Sequence, residues 1–519
     1  MNLPDRMRIR GSLPPFAMAV ILLFTMWQRL GATPAPVASG IDWYGGDVDH
    51  AFESARRSKK LVLLYWGAKW CPPCQQLKSF VFTRKDFIEK SNQFVAVHLD
   101  GDEPGAQRWG ERFHVSGYPT VVILRPDQVE VTRLSGGTDL SLYADLLDTA
   151  VSDVTPIKSI LTTLRSQPAS LSASDCRRLA FYPWDDGNVL AADPKTLAAD
   201  LDSAGHHCAT SSRVERARLT IASAALSATP ETTVEVLALA HDDALASHLG
   251  DALETLDDPF FANVRALGAP NAAQFLADWR RIMDELANDP AVVDADQMDA
   301  LAAQLTVVNQ FAADKKVPAN EATAARARVA AALAKHVDPY VRAGIVNSAS
   351  HVYAALGDED GMYRMLVGEV RTAKAPFYYM VDLGELEEKR GHRSTALEWY
   401  QRAYRQSTGT ATRFQWGYDY LTALLRLGPE DHERIRAVGI EVIAELSGPD
   451  RIHARTRVRL EKLDVALRQW NTAHGHDGDI GALRAQMRGI CTKLPKNDSG
   501  HESCMEFLSD HRLTSQRMP

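Results

Sequence analysis

Trp70-Cys71-Pro72-Pro73-Cys74 comes just after the apolar run Leu61-Val62-Leu63-Leu64-Tyr65-Trp66, and this pairing restricts the fold more than any other stretch of the chain. A short run of bulky residues predicts a buried strand, and Gly67-Ala68-Lys69 predicts the turn that ends it. From Gln75 to Phe82 the spacing is helical, with Leu77, Phe80 and Val81 on one face. The two cysteines therefore fall at a strand-to-helix junction, with Cys71 at the first exposed backbone N–H groups. Those donors and the positive end of the helix dipole favour a thiolate over a thiol. A thiol of pKa ~8.5 is only ~3% ionised at neutral pH, whereas one lowered to ~6.5 is ~75% ionised. Cys74 follows one helical turn later, placed to attack a mixed disulfide on Cys71. That is the minimum machinery of thiol–disulfide exchange.

Three features together resemble a thioredoxin domain from about Asp42 to Asp153. They are the Trp70-Cys-x-x-Cys74 junction, Gly117-Tyr118-Pro119-Thr120 ahead of the strand Val121-Val122-Ile123-Leu124, and Gly136-Gly137 after a strand from Val129 to Leu134. The second is similar to the family's cis-proline loop. Lys59-Lys60 before the first strand and Phe82-Thr83-Arg84-Lys85-Asp86-Phe87 after the active-site helix resemble a periplasmic subgroup. That subgroup includes the C-terminal domain of membrane thiol:disulfide interchange proteins. The resemblance implies Cys71 and Cys74 as catalytic residues, with Trp70, Tyr118 and Pro119 contacting an extended substrate chain. It implies no cofactor beyond the redox-active Cys71–Cys74 disulfide. Its expected partners are disulfide-bearing client proteins and an electron-donor protein such as a membrane thiol:disulfide interchange protein.

Two positions depart from the family pattern. Thioredoxins usually carry a buried acid six residues before the first cysteine, and Tyr65 stands there, so the usual proton acceptor for Cys74 is missing. Pro72-Pro73 removes two backbone donors and stiffens the turn.

At 519 residues the chain has length for roughly three or four domains. A net charge of −8 gives no electrostatic footprint for nucleic acid. Arg6, Arg8 and Arg10 precede an apolar stretch of twelve from Phe16 to Trp27, short for a membrane-spanning helix. Residues 1–40 are thus expected to be a signal peptide, cut near Leu30-Gly31-Ala32 or Pro36-Val37-Ala38, or an uncleaved anchor. Either would place the remainder outside the cytoplasm, in a bacterial periplasm or its equivalent, with the anchor as the sole membrane contact.

Residues 41–153 read as alternating strands and helices. Val48 to Ser58 is an amphipathic helix, Phe94 to Leu99 a second buried strand, Gln107 to Phe113 a short helix and Leu140 to Val151 a closing helix. His98, inside that strand, is expected to be packed rather than catalytic. From Val154 strand-like runs vanish and apolar residues recur at helical spacing, as in Arg213 to Leu226, Thr232 to Leu239 and Met298 to Phe311. The expected fold is therefore α/β thioredoxin-like, a central sheet between helices, followed by a large all-α region. The latter divides into 154–340, a repeat segment at 341–450 and C-terminal helices with a tail at 451–519. In the repeat segment, the sequence around Gly357 recurs 34 residues later around Gly391, continuing into Ala396, Tyr400 and Ala403. This is similar to the tetratricopeptide pattern. The first copy is degenerate, carrying Met362, Leu366 and Glu369 at those places, and Gly409 to Leu427 with Glu430 to Leu446 could form a third pair.

Cys176, Cys208, Cys491 and Cys504 are structural disulfide candidates, since thiols outside the cytoplasm usually pair. Of three pairings the favoured one is Cys176–Cys208 with Cys491–Cys504. His206-His207-Cys208 lacks a second ligand cluster, so no metal is expected. Phe181-Tyr182-Trp184 is expected to be local core, with a partner groove as the alternative. The composite expectation is an exported thiol–disulfide oxidoreductase that reduces or isomerises client disulfides, with helices that select the client. The alternative is a helical scaffold whose thioredoxin domain docks or senses redox state with little turnover.

Overall fold

Leu61–Gly67 (β1) is covered on both faces, which is why it is apolar at consecutive positions rather than at alternate ones. The computed structural model describes residues 40–136, 142–184, 193–208, 212–246, 248–448 and 450–509. β1 pairs in parallel with Phe94–Asp100 (β2), setting Leu64 opposite Val97. On its other side it pairs antiparallel with Thr120–Leu124 (β3), setting Leu64 opposite Val122. Glu130–Ser135 (β4) continues from β3, and the strand order is β2-β1-β3-β4. Successive side chains alternate faces. Val62, Leu64 and Trp66 therefore pack with Phe52 of Val48–Ser58 (α1) and Trp109, which belongs to a later helix, Pro104–Arg112. Leu63 and Tyr65 pack on the opposite side with Leu77, Phe87 and Tyr143. Each fully buried side chain of this size contributes roughly 1.5–3 kcal/mol, so both layers are firmly held to the sheet.

The helix that begins at the cysteines is Pro72–Gln76 (α2), followed by Lys85–Ser91 (α3), with Pro104–Arg112 as α4 and Leu142–Ser152 as α5. α2 does not run on regularly. Leu77–Val81 is a π-helical turn, closed by the Phe82 N–H donating to Leu77 O at 3.0 Å. The fold class matches the expectation for this part of the chain. Gly137 and the first residues of the expected closing helix lie outside the described residues, as does the basic-then-apolar N-terminus. His98, paired with Tyr65 in register, stacks on its ring at 5.0 Å.

Everything described after α5 is helical or irregular. Around the 34-residue repeat, three helix pairs follow one another: Pro339–Leu356 with Glu359–Glu369, Pro376–Lys389 with Arg393–Gln406, and Arg413–Leu427 with His432–Ala444. Gly357 and Gly391 sit at the turns with φ of +63° and +77°, the left-handed backbone that glycine adopts without a Cβ penalty. Ala396, Tyr400 and Ala403 are buried. A Cβ on Gly384 would come within 3.0 Å of the Tyr400 ring, so the small residue lets the two helices of that pair approach. In the first copy Glu369 is buried but paired, its carboxylate receiving two bonds from Arg342 at 2.5 and 2.8 Å. The degenerate copy thus exchanges an apolar contact for an ion pair. No helix among the described residues is long and apolar enough to cross a membrane.

Two disulfides tie this region. Cys176 joins Cys208 with S–S 2.03 Å, and Cys491 joins Cys504 with S–S 2.07 Å. The first removes Cys208 as a metal ligand. Tyr182 and Trp184 are buried with ring centroids 4.5 Å apart, whereas the Phe181 ring is met by the guanidinium groups of Arg177 at 5.2 Å and Arg218 at 4.3 Å.

Candidate functional site

Cys71 is the N-cap of α2, and its Sγ accepts the backbone N–H of Cys74 at 3.2 Å. Pro72 and Pro73 occupy the first two helical positions, where prolines fit because those N–H groups have no partner within the helix. The consequence is that Cys74 supplies the first N–H after Cys71. Gln75 is buried and closes the preceding turn, its Nε2 donating to Ala68 O at 3.2 Å and Lys69 O at 2.9 Å. The two sulfurs are bonded at 2.10 Å, so the pair is in its oxidised form. Tyr118-Pro119 is a cis peptide, and the Tyr118 carbonyl oxygen lies 3.6 Å from Cys71 Sγ. The structure thus brings Trp70, Cys71, Cys74, Tyr118 and Pro119 together. It leaves Cys176, Cys208, Cys491 and Cys504 elsewhere, in their own disulfides.

Tyr65 has no access to solvent, and its hydroxyl makes no hydrogen bond. A Cβ on Gly67 would stand 2.2 Å from that oxygen, so Gly67 makes the space for the phenol. Burial, then the proximity of Tyr143 and Asp100, pushes the phenol well above its ordinary range. A neutral phenol of that kind cannot take the proton that Cys74 must release, so Tyr65 does not replace the family's buried acid.

The site is covered. Cys71 is 2% exposed and Cys74 fully buried, in one apolar cluster with Val346, Phe377, Met380 and Trp416 of the helical region. The Trp70 indole meets the edge of Trp416 at 5.5 Å and stacks on Tyr378 at 6.3 Å. Its Nε1 donates to Asp102 Oδ1 at 2.9 Å, and that same oxygen receives the Thr412 hydroxyl at 2.5 Å. The Asp102 carbonyl accepts the Ala411 N–H at 2.9 Å and the Thr410 hydroxyl at 3.2 Å. Gly409, at φ +99°, brings the chain so near that a Cβ there would stand 2.3 Å from Asp102 Oδ1. Burial raises the Asp102 carboxyl above its usual range, against the opposing pull of the bonds from Thr412 and Trp70. The Arg455 guanidinium lies 4.7 Å from the centre of the Tyr118 ring, and Arg457 pairs with Glu111 at 2.7 Å.

The helices nearest the dithiol pack over it, with Trp416, Tyr378 and the 409–412 loop lying against Trp70 and Asp102. Asp102, Thr412, Trp416 and Gln75 were not singled out from sequence. The buried indole of Trp70 was the available signal, since such a group demands an acceptor.

A four-stranded sheet between helices, with a cysteine pair at the α2 N-terminus facing a cis-proline loop, defines a thioredoxin-fold redox domain. A thioredoxin-like family model matches residues 42–126. Thioredoxin H3 of Arabidopsis thaliana is 30% identical over 86 residues, covering 17% of this chain and 69% of that protein. The chain belongs to the thioredoxin family through this domain. A protein disulfide-isomerase of Schizosaccharomyces pombe is 28% identical over 118 residues, and protein disulfide-isomerase A4 of Rattus norvegicus is 27% identical over 139. These matches cover 23% and 26% of this chain, and span 31% and 21% of the two isomerases.

Proposed function

We propose that the protein is an exported thiol–disulfide oxidoreductase whose own helical region closes over its dithiol between turnovers. The observation that carries the reading is the oxidised Cys71–Cys74 pair, with Cys71 at the helix N-terminus and its sulfur facing the Tyr118 carbonyl. In the reduced enzyme the Cys71 thiolate attacks one sulfur of a client disulfide. A Cys71–client bond forms, the client S–S bond breaks, and the departing client sulfur leaves as a thiolate that takes a proton from water. Cys74 then loses its proton to water and attacks Cys71 Sγ. The second client sulfur departs, and the Cys71–Cys74 bond of the present structure is formed. Two electrons from a donor protein dithiol restore the reduced pair, and a membrane thiol:disulfide interchange protein is the donor class that fits.

Export is supported by the basic-then-apolar N-terminal sequence and by two disulfides outside the redox pair, which suit an oxidising compartment. The tetratricopeptide-like reading is supported by the three successive helix pairs and the glycine turns at Gly357 and Gly391. The test is reduction of insulin by the full chain with a dithiol donor, together with the reduction potential of the pair. Turnover with a potential near ~−270 mV marks a reductant, and one near ~−120 mV an oxidant. Absence of turnover would leave the second reading, a docked redox sensor, which the burial of Cys71 and Cys74 favours.

A further inference from the structure

The helix Ala454–His474 brings two arginines to the rim of the dithiol. Arg455 and Arg459 stand one turn apart on it, and both are half-buried. Tyr118 links them to the redox pair. Its carbonyl oxygen is 3.6 Å from Cys71 Sγ, and its ring centre is 4.7 Å from the Arg455 guanidinium. Tyr118 is itself half-buried, so this edge of the site meets solvent although the two cysteines are buried.

Other arginines of the surrounding helices are neutralised. Arg457 pairs with Glu111 at 2.7 Å, Arg413 with Glu445 at 3.0 Å and Arg468 with Asp464 at 2.8 Å. Among the described residues, neither Arg455 nor Arg459 is in an ion pair. Arg459 donates to the Arg455 carbonyl at 3.4 Å, and the Arg455 guanidinium faces the Tyr118 ring. Asp419 attracts Arg459 without bonding it. Like charges one helical turn apart repel. Burial, followed by the charge of Arg455, lowers the Arg459 guanidinium below its usual range. Guanidinium groups drawn partly out of water are normally matched by a carboxylate or phosphate, and this pair is short of one. A notch of about 10 Å³ lined by Arg455, Arg459, Gln415 and Thr456 has room for a single oxygen atom.

We infer that Arg455 and Arg459 hold a carboxylate that the substrate carries beside its disulfide, so that an acidic neighbour of the reacting sulfur is preferred. The inference rests on the reading that Cys71 attacks substrate disulfides, and it gives that reading a charge preference. The step affected is the first one. A bond forms between Cys71 and one substrate sulfur, the substrate S–S bond breaks, and the other sulfur leaves as a thiolate. A carboxylate near a disulfide ordinarily slows attack by a thiolate, because the two repel. The guanidinium pair reverses that order.

The experiment mixes the reduced full chain with disulfides of short capped peptides in which Glu, Ser or Lys flanks the cysteine. The peptide thiol released in a single turnover is timed, and each rate is divided by that of dithiothreitol with the same peptide. The normalised Glu rate should exceed the Lys rate about tenfold, and rising salt should narrow the gap. Arg455→Gln combined with Arg459→Gln should lower the ratio of Glu to Ser rates about tenfold. Dithiodipropionate, a small disulfide with two carboxylates, separates the sources of the anion. Enhancement shared with the Glu peptide supports a site for any anionic disulfide, and enhancement of the peptide alone supports an acidic client side chain. Equal normalised Glu and Lys rates in the parent, a comparison that needs no variant to fold, would overturn the inference. So would an unchanged ratio in the folded double variant. No release from any peptide would overturn the redox reading, and this inference with it.

Discussion

Thr412 donates its hydroxyl to Asp102 Oδ1 at 2.5 Å, across 310 positions of sequence, and shares that oxygen with the Trp70 indole. The residue next to the redox pair is thereby coupled to the loop that leads into the covering helix Arg413–Leu427. Because Asp102 is buried, the bond acts in a low-dielectric setting where a lost partner is felt strongly.

Thr412→Val removes one hydrogen bond to a buried carboxylate while leaving Trp70 in place. A loss of roughly 1.5–3 kcal/mol is expected in urea unfolding of the oxidised protein. Alkylation of Cys71 in the reduced variant should be correspondingly faster than in the parent. Unchanged stability and unchanged alkylation together would detach Thr412 from the closure.

Acid should loosen the same region through His453. Its ring is buried, hydrogen-bonds Thr456 at 2.9 Å and approaches Ala411 O at 3.4 Å. Burial, reinforced by Arg455, Arg459 and Arg457, pushes the imidazole down to about 3 from its ordinary 6.5, although the Ala411 carbonyl opposes this. The unfolded chain therefore takes up the proton first as the pH falls. The stabilisation is complete above about pH 6.5 and is lost on the way to pH 3, on the order of 1.4 kcal/mol per unit. His453→Gln should flatten this part of the stability–pH curve, and an identical curve would refute the assignment.

Tyr65→Phe deletes a buried hydroxyl that bonds to nothing. Stability should be unchanged or up to about 1 kcal/mol higher, and the rate of disulfide exchange should be that of the parent. A tenfold slower resolving step by Cys74 would show that the phenol participates in proton transfer after all.

Cys491→Ser with Cys504→Ser opens a short loop at the edge of the apolar cluster that also holds the dithiol. About 3 kcal/mol of stability should be lost by the loop-entropy model, read as a lower denaturation midpoint. A loss below about 0.5 kcal/mol would mean that this bridge constrains nothing the packing does not already hold.

The redox domain was legible because its signals are local. The run Leu61 to Trp66 announces a strand, the cysteines follow within a turn, and Tyr118-Pro119 stands directly before another apolar run. The helices Arg213–Leu226 and Pro230–His241 were equally plain from their spacing. The disulfide partners were reachable by proximity in sequence. The closure was not legible, because Asp102, Thr412 and Trp416 carry no period and meet only through the tertiary path of some three hundred residues. The 34-residue period says nothing of where Tyr378 and Trp416 point, and both rings lie against Trp70. The π-turn at Leu77–Val81 was also invisible, since apolar residues at helical spacing do not report a single wider turn.

The most direct test of a self-covered dithiol is the single-turnover rate at which the reduced full chain attacks a peptide disulfide, compared between the parent and Trp416→Ala. Truncating Trp416 removes the ring that meets Trp70 at 5.5 Å and uncovers the approach to Cys71. Truncation of a buried tryptophan costs about 3–5 kcal/mol, so folding of the variant is checked by circular dichroism first. A rate at least tenfold above the parent is the expected result. A folded variant that reacts no faster would contradict the closure.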